Sequence, residues 1–115
     1  MEDKINTRFL GMLGFAMRAG RVLLGCDIVI SAMQKGRARL IIISESASEG
    51  TKSKIKFKSE FYSVPVIYTT LTGDELGDRL GKSYSPVVLC VTDDGFASEI
   101  LKAKEKDSNT DSSIG

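Results

Sequence analysis

The side chains that could do chemistry in this 115-residue chain are mostly basic and lie around turns. Positions 18–39 hold five basic residues and one acid, Asp27. The basic residues are Arg18, Arg21, Lys35, Arg37 and Arg39. Gly25, in the same stretch, precedes a predicted helix, and the backbone N–H groups at a helix start bind anions readily. This combination predicts a polyanionic partner.

Other kinds of chemistry are disfavoured by the residues available. The chain has no histidine, which removes histidine-dependent catalytic triads and zinc sites. It contains neither a G-x-x-x-x-G-K-[ST] loop nor a G-x-G-x-x-G motif after a strand, so nucleotide enzymes are disfavoured. Asp93 and Asp94 follow a predicted strand, where ligands bind in open α/β sheets. We interpret them as the N-cap and first turn of the last helix, and predict no enzyme activity, metal or cofactor.

The composition limits which functions remain possible. The net charge is +1, with 42% hydrophobic and 27% charged residues, which is typical of one globular domain. A nucleic-acid site must therefore be a local patch. Cys26 and Cys90 lie far apart among apolar residues, which is typical of reduced structural thiols. Without a signal-peptide pattern, or an apolar run approaching ~18 residues, the chain is expected to be soluble and cytoplasmic, with no membrane contact.

Strands and helices alternate in the predicted order of elements. A first helix is expected over 5–18, from apolar residues spaced three and four apart beginning at Ile5. A second helix follows Gly25, with Ile28, Val29 and Ala32 facing inward. The predicted strands are 21–24, 40–43, 64–68 and 86–91, and Pro65 indicates either the first residues of its strand or an edge strand. The alternation predicts the α/β class, as a three-layer α/β/α sandwich with a four-stranded mixed sheet in a single domain over 1–102.

The third helix is predicted from a capping pattern. Ser46 and Glu49 have the spacing of a capping box. The segment 52–58 alternates lysine with other residues, as an amphipathic strand would, but Phe57 and Phe61 lie four apart, which favours a helix with a solvated lysine face. A second capping box, beginning at Thr72, predicts the fourth helix. Residues 103–115 are almost entirely polar, so a disordered tail is predicted there.

Two other functions stay open on these residues. A phospho-receiver signalling domain has similar size and layering, and Asp93 with Asp94 could belong to one. A receiver needs an acidic pair after its first strand, however, where this chain has only Asp27, and a lysine after its last strand, where it has none. An interaction module without RNA binding is the other alternative.

Several segments together resemble the ribosomal protein L7Ae/L30e family, and most closely its small bacterial YlxQ-type members. They are LGFA at 13–16, RAGR at 18–21, the Gly25 helix start, KGRARLIIISESAS at 35–48 and TDDGFA at 92–97. Their order and spacing cover about residues 8–102. The resemblance implies the three-layer sandwich, and a non-enzymatic function in which members commonly bind kink-turn RNA, a sharply bent duplex with tandem sheared G·A pairs.

The resemblance also implies which residues contact RNA. The family motif at the second helix is G-x-N-E-x-x-K, and here Gly25 matches its glycine, while Asp27, Ile28 and Ser31 stand at the Asn, Glu and Lys positions. The family's second contact surface, taken as the loop after the last strand, maps onto 91–93. The predicted RNA-binding residues are Gly25, Cys26, Asp27, Ile28, Ser31, Arg18, Arg21, Lys35, Arg37, Arg39, Val91, Thr92 and Asp93.

The implied partners follow from this family. They are a structured RNA, either ribosomal RNA or a kink-turn-like element, and ribosomal proteins as further neighbours. We expect a ribosome-associated monomer that recognises RNA shape and backbone rather than catalysing a reaction.

Overall fold

The fold is seen in a computed structural model, which describes residues 7–114. The predicted apolar position Ile5 lies outside the described residues. The elements, in chain order, are α1 (Thr7–Arg18), β1 (Val22–Leu24), α2 (Cys26–Gln34), β2 (Leu40–Ser44), α3 (Glu49–Tyr62), β3 (Val66–Thr69), α4 (Gly73–Arg79), β4 (Val88–Val91) and α5 (Asp94–Ile114). The predicted alternation of strand and helix is confirmed.

The four strands form one mixed sheet in the order β1-β4-β2-β3. β4 is antiparallel to both of its neighbours, and β2 is parallel to β3. The carboxyl ends of β1, β2 and β3 therefore lie at one end of the sheet, together with the amino end of β4. β3, which follows Pro65, is an edge strand as predicted.

Helices cover both faces of this sheet, which confirms the three-layer sandwich. Successive residues of β2 alternate between two cores. Leu40 and Ile42 pack with α1, α4 and α5 on one face. Ile41 and Ile43 pack with α2 and α3 on the other face. Because both faces are covered, β2 reads in the sequence as an uninterrupted apolar run.

The inward face of α2 differs from the prediction at one position. Val29, Ala32 and Met33 are buried, whereas Ile28, predicted to face inward, is 54% exposed. Residues three and four apart share a helix face, so 29, 32 and 33 form one buried stripe. At about 100° per residue, Ile28 lies about 100° from Val29 and about 140° from Met33, at the margin of that stripe next to Ala32. Ile28 is thus available to a partner.

The start of α3 also differs from the prediction. Its N-cap is Ser48 rather than Ser46, and the Ser48 hydroxyl accepts a hydrogen bond from the Thr51 N–H at 3.1 Å. Ser46 instead hydrogen-bonds the Ser44 hydroxyl at 2.7 Å and accepts a hydrogen bond from the Gly73 N–H at 3.4 Å. Ser46 is engaged in joining two loops, and the helix therefore begins after Ser48. The capping box of α4, at Thr72, is confirmed.

The last helix extends into the segment predicted to be disordered. α5 continues to Ile114, and Ala103 is buried. The Lys104 ammonium lies 5.4 Å from the centroid of the Phe9 ring in α1. Contacts with α1 thus continue past residue 102, which a reading of local polarity does not detect.

Candidate nucleic-acid interface

Gly25 makes the turn between β1 and α2, at one end of the sheet. Its φ is 107° and its ψ is 141°, a backbone conformation that favours glycine. The Gly25 N–H donates to the Val88 carbonyl at 2.9 Å, and its own carbonyl accepts from the Val29 N–H at 2.9 Å. Having no side chain, Gly25 leaves the next N–H groups, those of Cys26 and Asp27, without a side-chain cap. These donors suit an anion.

The charge around this turn comes from few residues. Burial raises the pKa of the Cys26 thiol, and the nearby Lys54 ammonium only partly opposes this rise. The thiol is therefore protonated at neutral pH and adds no negative charge. Asp27 in the first turn of α2 is the acid here. Lys54, on α3, brings a positive charge to the helix start. Sequence reasoning missed this charge because Lys54 and Cys26 come near each other only through the packing of α3 against α2.

The loop before β4, residues 80–87, lies at the same end of the sheet. The Ser44 N–H donates to the Val87 carbonyl at 2.8 Å, which ties this loop to the end of β2. Gly77 of α4 permits a close approach, since a Cβ there would clash with the Tyr84 carbonyl oxygen. Tyr84 itself is 55% exposed. We call this end of the sheet, with Gly25 and the Tyr84 loop, the helix-start end.

The five basic residues predicted to bind RNA lie at the opposite end of the sheet. The Arg21 carbonyl accepts from the Thr92 N–H at 2.9 Å, and the Arg39 N–H donates to the Val91 carbonyl at 2.8 Å. The guanidinium of Arg18 lies 5.0 Å from the centroid of the Phe15 ring. We call this the arginine end, and its exposed basic residues are Arg18, Arg21, Lys35, Arg37 and Arg39.

The residues predicted to bind RNA are therefore divided between two ends. Gly25 meets Val88 and Arg21 meets Thr92, so the ends are four residues of β4 apart, or about 13 Å. The predicted loop 91–93 lies at the arginine end, away from Gly25. It is the Tyr84 loop, not predicted, that adjoins the helix start. The loop before β4, and not the loop after it, meets the helix start because β4 is antiparallel to β1.

Asp93 and Asp94 are engaged at the start of α5. The Asp93 Oδ2 accepts from the Phe96 N–H at 2.9 Å, which confirms it as the helix cap. The Asp94 Oδ1 lies 3.4 Å from the Arg39 Nε, forming an exposed ion pair. Among residues the structure describes, no three His, Cys, Asp or Glu side chains could together hold a metal ion.

A shallow groove of about 350 Å³ joins the two ends. It follows the exposed side of α2 beside the edge strand β1. Its lining residues are Leu23, Asp27, Ile28, Ser31, Ala32, Lys35 and Arg37. The groove thus presents the motif positions of α2 near its start and two basic side chains near its end. None of the helices within residues 7–114 is long and apolar enough to cross a membrane.

Comparisons with known proteins agree with this architecture. The model of the Ribosomal protein L7Ae/L30e/S12e/Gadd45 family matches residues 7–102. The RNA-binding protein YlxQ of Bacillus subtilis is 38% identical over 91 residues, covering 78% of this chain and 88% of that protein. The large ribosomal subunit protein eL30 of Spodoptera frugiperda is 30% identical over 103 residues, covering 90% of this chain and 88% of that protein.

A solved structure supports the same fold. It is of a protein with unknown function from Bacillus halodurans C, has a TM-score of 0.80 and 34% identity, and covers 85% of this chain and 97% of that chain. With the family match extending from α1 into α5, the chain belongs to the ribosomal protein L7Ae/L30e/S12e/Gadd45 family.

Proposed function

We propose that this protein binds structured RNA and associates with the ribosome, without catalysing a reaction. The family and the relatives named for RNA binding and for the large ribosomal subunit support this function. The cytoplasm, where ribosomes work, is the proposed location, and the proposed form is a monomer.

The groove along α2 carries the proposal. It runs from Asp27, whose N–H is one of the uncapped groups that follow Gly25, to the cationic side chains of Lys35 and Arg37. N–H groups at a helix start and cationic side chains both bind phosphate, and phosphate contacts set the position of a protein on nucleic acid. Because the two kinds of donor lie at opposite ends of one groove, an RNA backbone running along α2 would contact both.

The identity of the RNA depends on the motif positions of α2. Ile28 and Ser31 line the groove, but a hydrocarbon side chain offers no hydrogen bond to a base edge. Unpaired base edges cost about 1–3 kcal/mol each. We therefore propose weak binding to a standard kink-turn, and a target read through its shape and backbone.

The phospho-receiver alternative has less support, since Asp93 caps α5 and Asp94 pairs with Arg39. Incubation with Mg²⁺ and a small phosphodonor, followed by intact-mass measurement, distinguishes the two functions. We expect no added phosphoryl group. A stable addition that disappears in Asp93→Asn or Asp94→Asn would favour the receiver.

The test of RNA binding is recovery of RNA with the protein from cells, followed by titration of that RNA at increasing salt. We expect ribosomal RNA to be enriched. About three phosphate contacts predict a log-log salt slope of roughly −2 to −3. Recovery of no RNA, or an affinity unchanged between low and moderate salt, would contradict the proposal.

A further inference from the structure

The outward side of α3 carries two exposed phenylalanines. Phe57 is 67% exposed and Phe61 is 71% exposed. The sheet-facing side of α3 is occupied by Ile55 and Ser59, both buried. The two phenylalanines therefore contribute little to the core, although their spacing of four residues helps to identify the helix.

Lysines share this outward side. Lys54, Phe57, Lys58 and Phe61 follow the i, i+3, i+4, i+7 spacing that places residues on one helix face. We call these four residues the α3 stripe. The Phe61 ring is held against Tyr62 in an edge-to-face contact with centroids 4.8 Å apart. The stripe thus presents aromatic faces between positive charges.

The acids of α3 lie away from the stripe. Glu49 pairs with Lys52, with Oε2 and Nζ 3.5 Å apart. Glu60 borders the groove beside β3 together with Lys56. A second copy of this chain is a poor occupant for the stripe, because Lys54 and Lys58 would face their own counterparts. The charges instead suit an anionic partner.

The stripe is continuous with the proposed RNA interface. α2 and α3 pack side by side on the same face of the sheet, through Val29 and Ile55. Lys54 lies near enough to Cys26, the first residue of α2, for its charge to act on that thiol. An RNA bound at the helix-start end could therefore continue onto α3.

We propose that the α3 stripe binds unpaired RNA nucleotides, with Phe57 and Phe61 stacking on bases and Lys54 and Lys58 contacting phosphates. Aromatic side chains in a positively charged groove are the usual means of binding single strands without sequence preference. The inference rests on the proposed function in taking RNA as the partner. It adds a second surface that holds single-stranded RNA next to the structured element.

The test compares labelled oligouridine with a blunt RNA duplex of equal length, by fluorescence anisotropy on the full chain. Phe57→Ala with Phe61→Ala should weaken oligouridine binding by about tenfold, equivalent to roughly 1.4 kcal/mol, and leave duplex binding unchanged. The matched control, Phe57→Tyr with Phe61→Tyr, keeps both rings and should bind oligouridine like the wild type. Circular dichroism checks that both variants fold, which the exposure of these side chains favours.

A second readout locates the contact directly. Ultraviolet cross-linking to oligouridine, followed by peptide mass spectrometry, should place the adduct on Phe57 or Phe61. Unchanged oligouridine binding by the alanine variant, or an equal loss for both RNAs, would overturn the stacking role. A wild type that binds the RNA recovered from cells but not oligouridine overturns only this inference, whereas recovery of no RNA from cells would overturn the proposed function as well.

A protein partner gives a different pattern. If the alanine variant abolishes self-association of the wild type in sedimentation while oligouridine binding is unchanged, the stripe is a contact between copies of the chain. That outcome would also overturn the inference.

Discussion

The helix-start end and the arginine end offer phosphate two different kinds of group. At the helix-start end the donors are backbone N–H groups after Gly25, fixed by the fold, and the nearby side chains include the acid Asp27. At the arginine end the donors are long side chains such as Arg21 and Arg37, exposed on connections between elements. The first end suits recognition of one backbone shape, and the second suits attraction of any polyanion.

This difference indicates which end would contribute affinity for RNA and which would contribute specificity. Electrostatic contacts supply most of the sequence-independent affinity for nucleic acid and depend strongly on salt. Fixed donors and base contacts supply register and specificity. We therefore expect substitutions at the arginine end to change affinity and salt slope, and substitutions at the helix-start end to change which RNA binds.

The largest effect is expected from charge reversal at the arginine end. Arg21→Glu with Arg37→Glu should lower affinity for the RNA recovered with the wild type by more than about a hundredfold, because each charge-assisted contact contributes about 1.5 kcal/mol or more. The salt slope should fall by roughly 0.7–0.9 per lost contact. Filter binding at several salt concentrations measures both.

The control for Arg21→Glu with Arg37→Glu makes the same change in net charge on α5, which packs on the face of the sheet opposite to α2. Lys102→Glu with Lys104→Glu, in α5, should have little effect on affinity. An equal loss in both variants would mean that net charge, and not the arginine end, governs binding.

A second prediction concerns the backbone shape of the helix-start end. Gly25→Ala should destabilise the protein by about 1–3 kcal/mol, because its φ of 107° strains a residue that has a Cβ. Gly11→Ala is the matched control, since Gly11 has a free position for a Cβ in α1, and it should stabilise by up to about 1 kcal/mol. Urea denaturation measures both. Equal effects of the same sign would contradict the assigned role of Gly25.

A third prediction concerns specificity at the helix-start end. Asp27→Asn, Ile28→Glu and Ser31→Lys together restore the family motif on the side of α2 that lines the groove. Affinity for a standard kink-turn hairpin should rise at least about tenfold, or roughly 1.4 kcal/mol. Because Ile28 is exposed, the helix should tolerate the change, which circular dichroism verifies. A folded variant that binds no better, or a wild type already binding at nanomolar concentration, would contradict the mapping of α2 onto RNA.

The smallest expected effect comes from freeing one arginine. Asp94→Asn removes the exposed partner of Arg39 and should raise RNA affinity by roughly twofold, equivalent to about 0.5 kcal/mol, as expected for a surface ion pair. Glu99→Gln, which removes an acid paired with Lys102, is the control and should leave affinity unchanged. Weaker binding of Asp94→Asn would mean that Asp94 positions Arg39 for RNA.

Much of the fold could be predicted because its signals are local. The glycine before α2, the capping box at Thr72 and the Asp93 cap each act within a few residues, and the structure has all three. The apolar run of β2 indicated a strand covered on both faces. Local signals were weaker where two candidates competed, as at Ser46 and Ser48 before α3.

The candidate site could be predicted only in part, for a different reason. The sequence identified the basic residues and the motif positions, but it placed Ile28 inward and treated the basic residues and the Gly25 helix start as one patch. It also missed Lys54, which packing brings near the helix start, and the 80–87 loop, which lies at the same end of the sheet.

Sequence by itself determined the kinds of element, their order and the chemistry available, because periodicity, caps and composition are properties of nearby residues. Tertiary structure decided the strand order β1-β4-β2-β3 and the antiparallel direction of β4. That direction brings Val88 to Gly25 and Thr92 to Arg21, residues more than sixty positions apart in the chain. Such pairings depend on which faces are buried together, and no local pattern encodes them.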